Sequence, residues 1–64
     1  MKSAQVEIVD ETMLSRVAKI LGESSAAHLA LEDAKARREA GQDVTIVKSG
    51  ASILVVPSAA LTDN

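Results

Sequence analysis

The sequence predicts a small α+β domain of order β-α-α-β-β, in which a three-stranded sheet has two helices packed on one face. Three patterns predict it. A short alternating stretch opens the chain, apolar residues then recur at helical spacing, and two runs rich in β-branched residues flank a Ser-Gly turn signal. The 64 residues suffice for one small domain, so we treat residues 1–64 as a single unit.

The first strand and first helix follow each other closely. Val6 and Ile8 alternate with polar neighbours, which is typical of a half-buried strand. Asp10 then supplies an oxygen for the N-terminus of a helix, and Gly22 provides its stop. Between them, the large apolar residues form one stripe at helical spacing. These residues are Met13, Leu14, Val17, Ile20 and Leu21.

The second helix is rich in alanine. We expect it to begin at Ser24 or Ser25 and to run to Ala40, with Gly41 as its stop. Its only large apolar residues are two leucines. Such a helix can approach a neighbour closely, but it buries little apolar area by itself.

The last third of the chain predicts a β-hairpin. Residues 44–47 and 53–56 are the two strands, and residues 48–52 connect them. Pro57 ends the second strand because it lacks the N–H that a ladder needs. Residues 58–61 are expected to form one helical turn.

Both faces of this hairpin are largely apolar, and helices on one side cover only one of them. Val47, Leu54 and Val56 share the other face and are our candidates for partner binding. We expect that face to meet a second copy of the chain or another protein. The alternative is a twisted sheet with one helix on each face, which would cover both.

Composition narrows the function classes. Lys and Arg total 7 and Asp and Glu total 9, for a net charge of −2, so a general attraction to nucleic acid is not predicted. The chain has no cysteine and one histidine, which excludes disulfides and Cys/His zinc sites. We expect no metal and no cofactor. Without a secretory signal or a membrane-spanning run, a cytoplasmic location is expected.

Catalytic groups are sparse. His28 is the only conventional base, and Glu32 and Asp33 are adjacent on a helix, so their carboxylates point in different directions. No nucleophile, base and orienting acid are brought together by any motif. We therefore expect the protein not to be an enzyme.

A nucleic-acid role depends on the end of the second helix and on the hairpin. Lys35, Arg37 and Arg38 are the candidates for nucleic-acid contact. The segment AGQDVTIVKSG (40–50), followed by LVVP (54–57), resembles the hairpin of Phd/YefM-type antitoxins. In that family a helix ends in Ala-Gly-acidic, and two strands then flank a basic-Gly turn. The resemblance implies a dimeric DNA-binding regulator.

Two functions therefore remain open. The first is a small intracellular protein-binding module of bacterial or phage type, which modulates or inhibits a larger protein by surface contact through the hairpin. Self-association as a homodimer or larger homo-oligomer belongs to this hypothesis, because so short a chain builds a marginal core. The alternative is the DNA-binding regulator, and no membrane partner is expected.

Overall fold

The predicted α+β class and the β-α-α-β-β order are confirmed. The computed structural model describes residues 6–61. Its elements are β1 (Val6–Ile8), α1 (Glu11–Leu21), α2 (Ala26–Glu39), β2 (Val44–Ser49), β3 (Ser52–Pro57) and a 3-10 turn (Ser58–Leu61). No helix among these residues is long and apolar enough to cross a membrane.

Side-chain caps determine where both helices begin. The Asp10 carboxylate accepts hydrogen bonds from the Thr12 N–H at 3.0 Å and the Met13 N–H at 3.4 Å. The hydroxyl of Ser25, the second of the two adjacent serines, accepts from the His28 N–H at 3.2 Å. Both caps satisfy amide groups that have no partner inside the helix.

The hairpin turn is tighter than the sequence suggested. The predicted connection covered residues 48–52, whereas the strands continue to Ser49 and Ser52, which pair with each other across a two-residue turn. Gly50 has φ 61°, and Ala51 has a negative φ, since all the described residues with positive φ are glycines. These signs fit a type II′ turn, which places glycine first and matches the twist of the strands.

The sheet is antiparallel throughout, with β2 in the centre. Val6 pairs with Ser49 at one end of β1, and Ile46 pairs with Val55 in the middle of the hairpin. The strand order β1-β2-β3 leaves β1 and β3 as the two edges.

One core lies between the sheet and the helices. α2 packs on β2 and β3, and α1 packs mainly against α2. Both helices contribute to one buried cluster, so they lie on the same side of the sheet and the alternative with one helix on each face is wrong. The buried residues of this cluster are Leu14, Ala18, Ala27, Ala30, Ala34, Val44 and Ile46.

Candidate interaction surfaces

The predicted partner-binding residues share the sheet face opposite α2, which we call the open face. Val47 pairs with Leu54, and Val56 pairs with Thr45, so all three side chains point to that face. Their exposure differs. Val47 is only 2% exposed in the middle of the sheet, Val56 is half-buried, and Leu54 is 46% exposed at the edge. Leu54 is therefore the one of the three that offers substantial surface.

The 3-10 turn is hydrogen-bonded to one end of the open face. The Ser58 hydroxyl donates to the Asp43 carboxylate at 3.1 Å and lies 2.7 Å from the Thr45 hydroxyl. Since Ser58 has one hydroxyl proton, Thr45 is the donor in the second bond. The Ser58 N–H also donates to the Asp43 carbonyl at 2.9 Å. These bonds tie the turn to the segment that leads into β2.

The free edge of β3 presents backbone groups. In an antiparallel ladder, residue pairs that exchange hydrogen bonds alternate with pairs that do not. The Ser58 N–H donates to the Asp43 carbonyl, which identifies that pair as a hydrogen-bonded one. By alternation, Leu54 and Val56 also exchange hydrogen bonds with β2. The N–H and C=O groups of Ile53 and Val55 therefore point away from β2. Within the described residues no strand lies on that side. The result is an unpaired edge.

A groove runs between this edge and α2. Its volume is about 370 Å³, and apolar side chains form most of its wall. Asp33 is its one charged residue, and its carboxylate accepts a 2.9 Å hydrogen bond from Arg37. Leu29 is 57% exposed beside this groove. The lining residues are Ala26, Leu29, Ala30, Asp33, Ile53, Leu54 and Val55.

A second exposed apolar surface lies on α1. The predicted stripe is mostly directed outward: of its five residues only Leu14 is buried, whereas Ile20 is 82% exposed. We call the exposed set the α1 surface. It consists of Met13, Val17, Ile20 and Leu21.

The α1 surface continues into a groove beside β1. Met13 and Val17 form one wall of this groove, and Ile8, which is 70% exposed, lies on the other. The volume is about 470 Å³. We did not predict this surface from the sequence. The sequence does contain a signal for it, because the alanine-rich α2 has too few large side chains to cover all five residues of the α1 stripe.

Arg38, one of the three predicted nucleic-acid contacts, joins three elements. Its guanidinium donates to both carboxylate oxygens of Glu11 in α1, each at 2.8 Å, and to the Val44 carbonyl of β2 at 2.9 Å. The hydrogen bond from Arg38, helped by its charge, lowers the pKa of the Glu11 carboxyl although partial burial opposes the shift.

The other two predicted cations, Lys35 and Arg37, differ in their surroundings. Arg37 is ion-paired with Asp33 on its own helix. Lys35 is exposed and lines a groove between α1 and α2 together with Arg38, whereas Arg37 does not. Two of the three predicted cations, Lys35 and Arg38, therefore share one groove, and Arg37 lies outside it.

The groove between the helices also contains the single histidine. His28 is half-buried there, near Glu23 and Glu32. Across residues 6–61, no three potential ligands among His, Asp and Glu are grouped closely enough to hold a metal ion.

Comparison with known proteins adds no relative. No protein-family model matches the chain, and neither a curated protein nor a solved structure matches it.

Proposed function

We propose that the chain is a small protein-binding module that modulates or inhibits a larger protein by surface contact. One observation carries the proposal: among the described residues, nine large apolar side chains are exposed, whereas four are buried. Single exposed aliphatic residues are ordinary, but contiguous apolar patches favour interaction sites. The buried four are Leu14, Val44, Ile46 and Val47.

The α1 surface is the best-supported contact for such a protein. Its four residues share one face of a capped helix, and a groove extends the surface toward Ile8. Arg16 is exposed next to this surface on the same helix, and the groove is lined by Glu7 and Asp10 as well as by Lys48. The fitting occupant is an apolar patch of a larger protein with charges of both signs at its rim, because apolar burial gives affinity and charge complementarity gives orientation.

The hairpin keeps a role in this proposal. Leu54 is the exposed member of the predicted partner-binding set, and it lies at the far edge of the sheet from α1. A DNA-binding regulator is less well supported, because Arg37 and Arg38 are both hydrogen-bonded to carboxylates. Phosphate contact would have to break these pairs.

Affinity capture tests the proposal. The immobilised chain is exposed to an extract of the cells that naturally produce it, and retained proteins are identified by mass spectrometry. Ile20→Lys places a charge in the α1 surface, and Gln42→Lys places the same charge at an exposed site outside it. We expect one protein to be retained by the wild type and by Gln42→Lys, and at least tenfold less of it by Ile20→Lys.

Three outcomes would contradict the proposal. Equal retention by Ile20→Lys would remove the α1 surface as the contact. The absence of any specifically retained protein would remove the binding module itself. Retention of duplex DNA alone, with release that rises steeply with salt, would favour the alternative regulator. Helix content measured by circular dichroism is the control that tests whether both variants are folded.

A further inference from the structure

We propose that the free edge of β3 is a self-association site, where two copies of the chain pair antiparallel about a two-fold axis at Leu54. The product is one six-stranded sheet with strand order β1-β2-β3-β3-β2-β1. This inference goes beyond the proposed function, because it concerns the opposite edge of the sheet from the α1 surface.

Backbone geometry favours this register. The outward groups of β3 belong to Ile53 and Val55, which lie symmetrically on either side of Leu54. With the axis at Leu54, Ile53 of each copy pairs with Val55 of the second copy, and four N–H···O=C bonds form. A register centred on Val55 would oppose Ile53 to Pro57, which has no N–H to donate.

The charge pattern of β3 also favours pairing with itself. The strand Ser52–Pro57 is six residues long and contains no charged residue. Natural edge strands are commonly protected from pairing by charges, bulges, very short length or proline, and in β3 the only such feature is Pro57 at its end. β1 has two of these protections, since it is three residues long and carries Glu7. β3 has neither of these two protections, and pairing of the strand with itself brings no like charges together within the strand.

The helices of the two copies would also pack against each other near the same axis. α2 lies over β2 and β3, so a two-fold axis just outside β3 places the two copies of α2 about 10 Å apart. That is the spacing of packed helices. The groove beside β3 would then close, with Leu29 buried between the copies.

Another occupant of this edge is an extended segment of a different protein. Such a segment satisfies the backbone groups, but it brings no second helix to cover Leu29. The second copy supplies both the strand and the helix, so we assign the edge to it.

Substitutions that place a charge at Leu54, on the two-fold axis, test the inference. Leu54 faces itself across the axis, so Leu54→Lys and Leu54→Asp each place two like charges in contact. We expect light scattering coupled to size-exclusion chromatography to give twice 6.7 kDa for the wild type and 6.7 kDa for each variant alone. An equimolar mixture should return to twice 6.7 kDa, because opposite charges then meet. Refractive index measures the mass, since the chain has no Trp or Tyr.

Matched variants complete the test. Leu21→Lys changes an exposed leucine of α1 and should remain a dimer, whereas Leu29→Lys lies beside the β3 groove and should become a monomer. If the Leu54 variants lose helix content, the Leu29→Lys result decides the question.

The inference is overturned by a wild type that is monomeric at two concentrations tenfold apart. It is equally overturned by folded Leu54 variants that remain dimeric, or by a mixture that stays monomeric. None of these results bears on the capture experiment, which changes α1. Failure of the two proposals is therefore distinguishable.

Discussion

At the scale of single residues, Arg38 has the most consequential contacts. Its guanidinium binds both Glu11 in α1 and the Val44 carbonyl at the start of β2. Glu11 lies 27 residues before Arg38 in the sequence, and Val44 lies six residues after it. A bidentate pair of this kind holds two elements in a defined orientation. Arg38 therefore contributes to the position of α1, and with it to the orientation of the α1 surface.

The pair makes stability depend on pH. Arg38 lowers the pKa of Glu11 from its ordinary value of 4.5, so the stabilisation is complete above that value. It is lost as the pH falls through the lowered pKa, where the carboxylate gains a proton. We expect Glu11→Gln to unfold at lower denaturant concentration than the wild type at pH 7, and the difference to be smaller at pH 2.

Urea titrations at the two pH values measure this difference. Glu39→Gln is a matched control, because Glu39 is also a helical carboxylate but is exposed at the end of α2. An equal effect of both substitutions, or a Glu11→Gln effect that persists unchanged at pH 2, would mean that the pair does not stabilise the fold.

Local residue roles could be predicted from the sequence, whereas distant ones could not. Asp10 was predicted as a cap because its partners lie two and three residues away. Arg38 was predicted as a nucleic-acid contact because it could form a small basic patch with Lys35 and Arg37, and the sequence shows no acidic partner for it. Glu11 becomes that partner only after the chain has folded.

At the scale of elements, the small residues of α2 set its distance from the sheet. Ala27, Ala30 and Ala34 are all buried, and Ala34 is covered almost completely. Alanine allows close approach of a helix to its neighbours, and close packing leaves no room for a larger side chain. Because its buried side chains are small, α2 can cover only part of α1.

Ala34→Leu tests this packing. We expect it to lower the free energy of unfolding by about 1–3 kcal/mol, because the added atoms have no space between α2 and its neighbours. Ala36→Leu adds the same atoms at an exposed site of the same helix and should change stability by less than about 0.5 kcal/mol. Denaturant unfolding measures both, and equal effects would show that α2 is not closely packed.

The elements themselves were predicted well, but the orientation of α1 was not. Its stripe correctly predicted a helix, because spacing along the chain determines which side chains share a face. Which part of that face is covered depends on the neighbouring element. α2 covers Leu14 and Ala18 and leaves Met13, Val17, Ile20 and Leu21 exposed. The hairpin register likewise depended on the two-residue turn at Gly50.

At the scale of the whole molecule, the core is small relative to the apolar surface around it. Ile46 and Val47 are the only large side chains that the described residues bury almost completely. Small domains commonly need disulfides, metals or association for stability, and this chain has no cysteine. Our account assigns β3 to a second copy and the α1 surface to another protein.

The composition predicted a need for association, but not the surfaces that provide it. The open face was expected to carry the contact, and its central residue, Val47, is buried. Exposure depends on the position of a strand in the sheet, and the sequence did not give the strand order. Leu54 was identified correctly as a surface residue of the hairpin, whereas its position at an edge required the structure.

Our central claim is that association completes this fold. Amide hydrogen exchange, measured by NMR at high protein concentration, tests it most directly. The Leu54 and Val56 amides bond to β2 in either state and serve as internal references. Our account predicts that the outward amides of Ile53 and Val55 are protected as well, and that dilution weakens their protection first. Free exchange at Ile53 and Val55 beside a protected Leu54 and Val56 would contradict it, because the edge of β3 would then be open to water.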